Sequence, residues 1–131
     1  MLYLTAICDD NAADLNDLSN LLSLWAADRG ITVTIDRFPS AESFLFHYVE
    51  VKNYDLLLLD IEMGAMDGVT MAKRIRKDDE SVQIVFITGY SDYIAEGYDV
   101  AALHYLMKPV NRDKLFSVLD RALEKQKQNS W

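Results

Sequence analysis

The chain has 131 residues and a mass of 15.0 kDa, with 50% hydrophobic and 26% charged residues. That balance describes one soluble domain and excludes disordered and membrane-spanning classes. The single cysteine, Cys8, excludes an internal disulfide framework, the two histidines argue against a histidine-rich metal centre, and the net charge of −8 disfavours unspecific attraction to nucleic acid or anionic lipid.

Short apolar runs alternate with helical patterns along the whole chain. Residues 3–8 read as a first strand that stops at Asp9-Asp10. With no basic segment before it, this run does not read as a signal peptide, and the expected location is the cytoplasm. Leu15, Leu18, Leu22 and Trp25 then recur at helical spacing, with Asn11 as N-cap and Gly30 beyond the end. Residues 31–38 alternate as a strand with one less buried face, as at a sheet edge. Pro39-Ser40 opens a second helix through residue 50. Residues 54–59 and 82–87 are nearly continuous apolar runs, the pattern of strands covered on both faces. Between them Val69, Ala72 and Ile75 stripe a third helix, whose Lys73, Arg74, Arg76 and Lys77 read as a solvated face. A fourth helix over residues 92–101 is interrupted by Gly97. Residues 103–107 form the fifth strand, and the last helix spans 112–127 with Leu115, Leu119, Ala122 and Leu123 inward.

Five successive strand-helix units predict a parallel sheet with helices on both faces. In such sheets ligands bind beyond the carboxyl ends of the strands. Those ends carry Asp9 and Asp10, then Asp60 followed by Glu62, then Thr88, then Lys108 before Pro109. The acidity gathers in the same half: residues 1–70 hold three basic and twelve acidic side chains, residues 71–131 ten and nine. Two carboxylates about 4 Å apart repel by around 4 kcal/mol at an effective dielectric near 20. Three aspartates together therefore need protons or a cation, and a hard divalent ion such as Mg²⁺ suits oxygen donors beside a phosphate. Asp60, ending the most buried strand, is best placed to act as a nucleophile and form an acyl phosphate. Lys108 can pair with a carboxylate at rest and with a phosphoryl oxygen later, and Thr88 can donate to another.

The segments Ile7-Cys8-Asp9-Asp10-Asn11, Leu59-Asp60-Ile61-Glu62-Met63, Phe86-Ile87-Thr88-Gly89 and Tyr105-Leu106-Met107-Lys108-Pro109 resemble the response regulator receiver domain of two-component signalling. The resemblance covers residues 2–125 in order. Asp67-Gly68 and the stretch from Phe86 to Ile94, followed by Gly97-Tyr98 and Val100, are similar to receivers of the LytTR (LytR/AlgR) class, which usually precede a DNA-binding domain absent from this sequence. The resemblance implies a three-layer α/β/α flavodoxin-like (CheY-like) fold, with strand order 2-1-3-4-5 and five helices. It implies a receiver domain over residues 1–127 and a polar tail at 128–131. It implies that Asp60 is the phosphoacceptor for a sensor histidine kinase and that Mg²⁺ is held by Asp9, Asp10, Asp60 and the backbone carbonyl of Glu62. Thr88 and Lys108 would contact the phosphoryl group. Thr88 and Tyr105 would form a switch that reshapes the face of fourth helix, fifth strand and fifth helix, through which a homodimer can form with Phe116 contributing. The Lys108-Pro109 bond would be cis. Gly64 stands where the family often has proline.

Several residues keep a plainer reading. Tyr105 reads equally as a packing aromatic, Glu62 as a solvated loop residue, His47 as a helix-face residue and His104 as a partly exposed strand residue. Cys8, Met63, Met66, Met71 and Trp25 read as packing. Two functional alternatives stand beside the signalling receiver. One is a Mg²⁺-dependent phosphatase-like hydrolase with Asp60 as nucleophile, although Asp60-Ile61-Glu62 sits on the third strand and no capping insertion is present. The other is an interaction module independent of phosphorylation. A nucleotide site is disfavoured, because none of the five glycines forms Gly-x-Gly and no Gly-Lys-Ser/Thr loop occurs.

Overall fold

The computed structural model describes residues 2–50, 53–89 and 99–129. Five strands form one parallel sheet in the order β2-β1-β3-β4-β5: β1 Leu2–Cys8, β2 Thr32–Phe38, β3 Leu56–Leu59, β4 Gln83–Thr88 and β5 His104–Met107. Four helices accompany them among the described residues: α1 Ala12–Arg29, α2 Ala41–Tyr48, α3 Gly68–Asp78 and a C-terminal helix Arg112–Asn129. This is the three-layer flavodoxin-like arrangement and strand order expected. Residues 92–98 of the expected fourth helix lie outside the described residues.

The central strand shows why the sheet needs two helical layers. Its four leucines are fully buried and alternate between faces, as side chains on a strand must. Leu56 and Leu58 join Tyr3, Ile7, Trp25 and Leu119 on the side of α1 and the C-terminal helix. Leu57 and Leu59 join Phe44, Met71, Ile75 and Phe86 on the side of α2 and α3. Each such side chain stabilises the fold by about 1.5–3 kcal/mol relative to exposure. The edge strand β2 is less buried throughout, in line with its alternating sequence.

The helix ends follow local chemistry. The Asn11 side chain accepts from the Asp14 N–H, and Gly30 closes α1 in the left-handed conformation at φ 65°. Ser40 caps α2 through the Ser43 N–H, and Asp67 caps α3 through the Thr70 N–H.

Several boundaries and roles differ from expectation. The α2 helix ends at Tyr48 rather than residue 50. The C-terminal helix continues to Asn129, so the tail assigned to 128–131 begins inside a helix. The strand expected from residue 54 starts at Leu56, although the Asp55 backbone still pairs with Leu4 and Gln83, and its side chain accepts from the Leu4 N–H and from Gln126. Arg76 does not belong to the solvated face. It is half-buried and its guanidinium donates to the carbonyls of Val82 and Val100, both at 2.6 Å, while Lys73, Arg74 and Lys77 are exposed. Phe116, expected to contribute to a dimer face, is buried and flanked by the guanidinium groups of Arg29 and Arg112, 5.3 and 5.1 Å from its centroid.

Candidate functional site

The backbone ladder itself assembles the site. Beyond the strand ends, the Asp9 N–H donates to the Phe38 carbonyl at 3.1 Å, the Asp60 N–H to Cys8 at 2.9 Å and the Lys108 N–H to Thr88 at 2.8 Å. Each residue is thus held one step past its strand, at one edge of the sheet. Carboxylate oxygens of Asp9, Asp10 and Asp60 lie within 4.8 Å of one another. Asp9 and Asp60 are buried and Asp10 is exposed.

Lys108 closes the group from β5. Its Nζ donates to Asp9 Oδ2 at 2.8 Å, Asp14 Oδ2 at 2.8 Å and Asp60 Oδ2 at 3.1 Å. Burial works against its charge, but the three carboxylates outweigh that and raise its pKa. Asp9 has one lysine bond and far more burial. Loss of solvent pushes its pKa up, against the Lys108 and Asn11 hydrogen bonds, and the nearby Asp60 adds to the rise. The two directions agree physically: one ammonium is shared among more negative charge than it can neutralise. The remaining charge calls for a cation. The donor set, three carboxylates and no nitrogen or sulfur, suits a hard ion such as Mg²⁺.

The Thr88 hydroxyl is fully buried, and its Oγ1 has no hydrogen-bond partner among the described residues. A buried unsatisfied hydroxyl costs about 1–3 kcal/mol. Tyr105, on the neighbouring strand, is half-buried with its ring against Phe86, centroids 6.1 Å apart. Glu62 has an exposed side chain in the loop after β3. The Lys108-Pro109 peptide is cis, and Gly64 takes φ 79°, a conformation closed to proline. Gly68 lets α3 start against the site. Its N–H donates to the Ile61 carbonyl at 2.8 Å, and a Cβ there would collide with the Asp60 carbonyl oxygen.

The plainer expectations are also placed. Cys8 is buried, with its thiol pKa pushed up by burial; Met63, Met71 and Trp25 are core residues. His47 packs between Phe38 and Tyr54, and His104 is exposed. Sequence reasoning missed Asp14. The available signal was its place in the first turn of α1, close behind Asp9-Asp10, but a carboxylate there is ordinarily explained by the helix dipole alone.

A five-stranded parallel sheet with this acidic edge and this lysine defines a receiver-type signalling domain. Residues 5–120 match the family model of the response regulator receiver domain, and the chain belongs to that family. It is 34% identical over 126 residues to the transcriptional regulatory protein NatR of Bacillus subtilis, covering 95% of this chain and 51% of NatR. To the sensory transduction protein LytT of the same organism it is 33% identical over 115 residues, covering 88% of this chain and 46% of LytT. It therefore spans about half the length of these curated relatives. Among solved structures, the signal receiver domain of an HD domain-containing protein from Pseudomonas fluorescens Pf-5 superposes with a TM-score of 0.85 at 25% identity, covering 98% of this chain and 99% of that one. Receiver domains are signalling domains of two-component systems rather than conventional enzymes. No helix among the described residues is long and apolar enough to cross a membrane.

Proposed function

We propose that this chain is a phosphorylation-controlled receiver whose Asp60 accepts a phosphoryl group from a sensor histidine kinase in the presence of Mg²⁺. The observation that carries the reading is the shared ammonium: one lysine serves Asp9, Asp14 and Asp60, beside three carboxylates gathered within 4.8 Å. Asp9, Asp10, Asp60 and the Glu62 carbonyl would hold the ion. When bound, it would neutralise the acidic edge and the charge on the transferring phosphoryl group.

The protein's own groups divide the remaining work. Asp60 Oδ1 accepts the Ile61 N–H at 2.7 Å, which fixes the rotamer of the nucleophile. An Asp60 oxygen attacks phosphorus, the P–N bond to the donor histidine breaks, and the imidazole leaves with its electron pair. Lys108 and the Thr88 hydroxyl each donate to a phosphoryl oxygen. For Thr88, that bond supplies the partner its buried oxygen lacks. Movement of Thr88 toward the phosphoryl group would let the Tyr105 ring turn inward and reshape the surface around β5, a two-state element biased by local charge. That surface would then act on an output, through a homodimer or through a LytTR DNA-binding domain outside residues 1–127. The setting is cytoplasmic, and this domain itself does not bind nucleic acid or membrane.

Intact-mass spectrometry after incubation with acetyl phosphate tests the reading. The expected result is uptake of a single phosphoryl group with Mg²⁺, none with chelator, and none in Asp60→Asn. Sustained release of phosphate from small phosphomonoesters would instead identify a hydrolase, and absence of uptake an interaction module.

A further inference from the structure

An ammonium has three N–H donors, and on Lys108 all three are taken by Asp9, Asp14 and Asp60. A phosphoryl oxygen arriving at Asp60 therefore finds no free donor on this lysine. One carboxylate must first give up its bond, and the three are not equal. The Asp9 side chain is 1% exposed and its Oδ1 is fixed by the Asn11 N–H. The Asp60 side chain is 8% exposed and its Oδ1 is fixed by the Ile61 N–H. Both belong to the trio that would face a cation. Asp14 stands outside that trio, on the first turn of α1, and is 38% exposed. It borders a groove of about 360 Å³ shared with Asp17, Leu21 and Val110. A carboxylate released there returns to water, whereas Asp9 and Asp60 are enclosed and would depend on the cation for a partner once Lys108 left them.

We infer that Asp14 is a resting-state latch on Lys108: a positioning residue that holds the ammonium toward α1 and yields it to the phosphoryl group. The inference rests on the phosphoacceptor reading above and adds to it a residue that sets how readily the site accepts its anion. Removing the latch leaves Lys108 with a free donor before the anion arrives. Phosphoryl-like anions then bind more tightly, although no contact to the anion is added.

The test is titration of the full chain with fluoroberyllate, a non-covalent phosphoryl mimic, at saturating Mg²⁺, followed by Trp fluorescence or NMR. Asp14→Asn and Asp14→Ala are expected to bind it about fivefold more tightly, the size of a half-exposed ion pair. Asp17→Asn removes an equal charge from the same groove without touching Lys108, and its affinity should move by much less. In metal-free protein, the Lys108 ammonium protons should exchange with solvent faster in Asp14→Asn than in wild type, a signature that a purely structural role for Asp14 would not produce. Wild-type binding with unchanged or weaker affinity in both Asp14 variants, or an equal gain in Asp17→Asn, overturns the latch and leaves the phosphoacceptor reading intact. If wild type itself does not bind fluoroberyllate with Mg²⁺, the underlying reading falls and the latch falls with it.

Discussion

At the scale of single residues, the acidic edge is a frustrated cluster. Lys108 neutralises part of the charge on Asp9, Asp14 and Asp60, while Asp10 stands outside its reach and adds repulsion. Asp10→Asn should therefore stabilise the metal-free protein by about 1 kcal/mol, the energy of a charge pair near 4 Å in water. It should also lose most of the stabilisation by Mg²⁺, which for wild type reaches about 2.7 kcal/mol at a hundred times the dissociation constant. Urea unfolding with and without Mg²⁺ checks both halves; a variant that is less stable without metal, or that keeps the full Mg²⁺ response, would contradict them. The convergence of Asp9, Asp10, Asp60 and Lys108 was legible in the sequence, because each follows an apolar run and parallel strands end at one edge. Asp14 and Arg76 were not. A carboxylate in a first helical turn and an arginine on a basic helix face both have sufficient local explanations. Only the tertiary fold brings Lys108 to the first and the Val82 and Val100 carbonyls to the second.

At the scale of elements, two contacts decide how helices meet the sheet. The start of α3 lies directly on the Asp60 carbonyl, and only glycine fits at position 68. Gly68→Ala should cost about 1–3 kcal/mol, as overpacking does, and weaken Mg²⁺ binding because the Asp60 backbone must shift; thermal unfolding and Mg²⁺ titration would show it. On the other face, Asp120 of the C-terminal helix accepts from the Trp25 indole N–H at 2.9 Å and from Arg29 Nε at 2.7 Å, both on α1. The Arg29 bond, and the Trp25 bond with it, hold the Asp120 carboxyl below the usual carboxylate range. A lowered folded-state pKa means stabilisation that is fully present above about pH 4, the unfolded value, and lost as pH falls through the folded value. Asp120→Asn keeps an oxygen for Trp25 but loses the charge. Its deficit at neutral pH, below about 1 kcal/mol for so exposed a carboxylate, should close as the pH drops below 4. Asp120→Ala also orphans the indole N–H and should retain a further deficit of about 1–2 kcal/mol at every pH. Chemical denaturation of the three proteins across pH 2–7 separates these contributions. The elements themselves were readable from periodicity, with errors at their ends. Residues 54 and 55 look like strand, and the Asp55 backbone does bond to Leu4 and Gln83, yet the regular strand spans only Leu56–Leu59.

At the scale of the whole molecule, the four leucines of β3 supply both cores, so the most apolar strand is also the one that delivers Asp60 to the edge. Its hydrophobicity positions the nucleophile, since a slip of one residue would draw Asp55 or Asp60 into a position now filled by a buried leucine, and a carboxylate buried there without a partner is costly. The strand order, by contrast, could not be read from periodicity, which says only that the strands are parallel. It followed from the resemblance of the strand-end residues to receivers, and the β2-β1-β3-β4-β5 sheet agrees with it. The measurement that bears most directly on the site is a crystal structure of the chain grown with Mg²⁺ and fluoroberyllate. The expected result is one ion bound by Asp9, Asp10 and Asp60, fluoroberyllate on an Asp60 carboxylate oxygen, and the Thr88 hydroxyl and Lys108 ammonium both donating to it. An ion bound elsewhere, or an Asp60 left bare while Lys108 keeps all three of its carboxylates, would contradict the proposed chemistry.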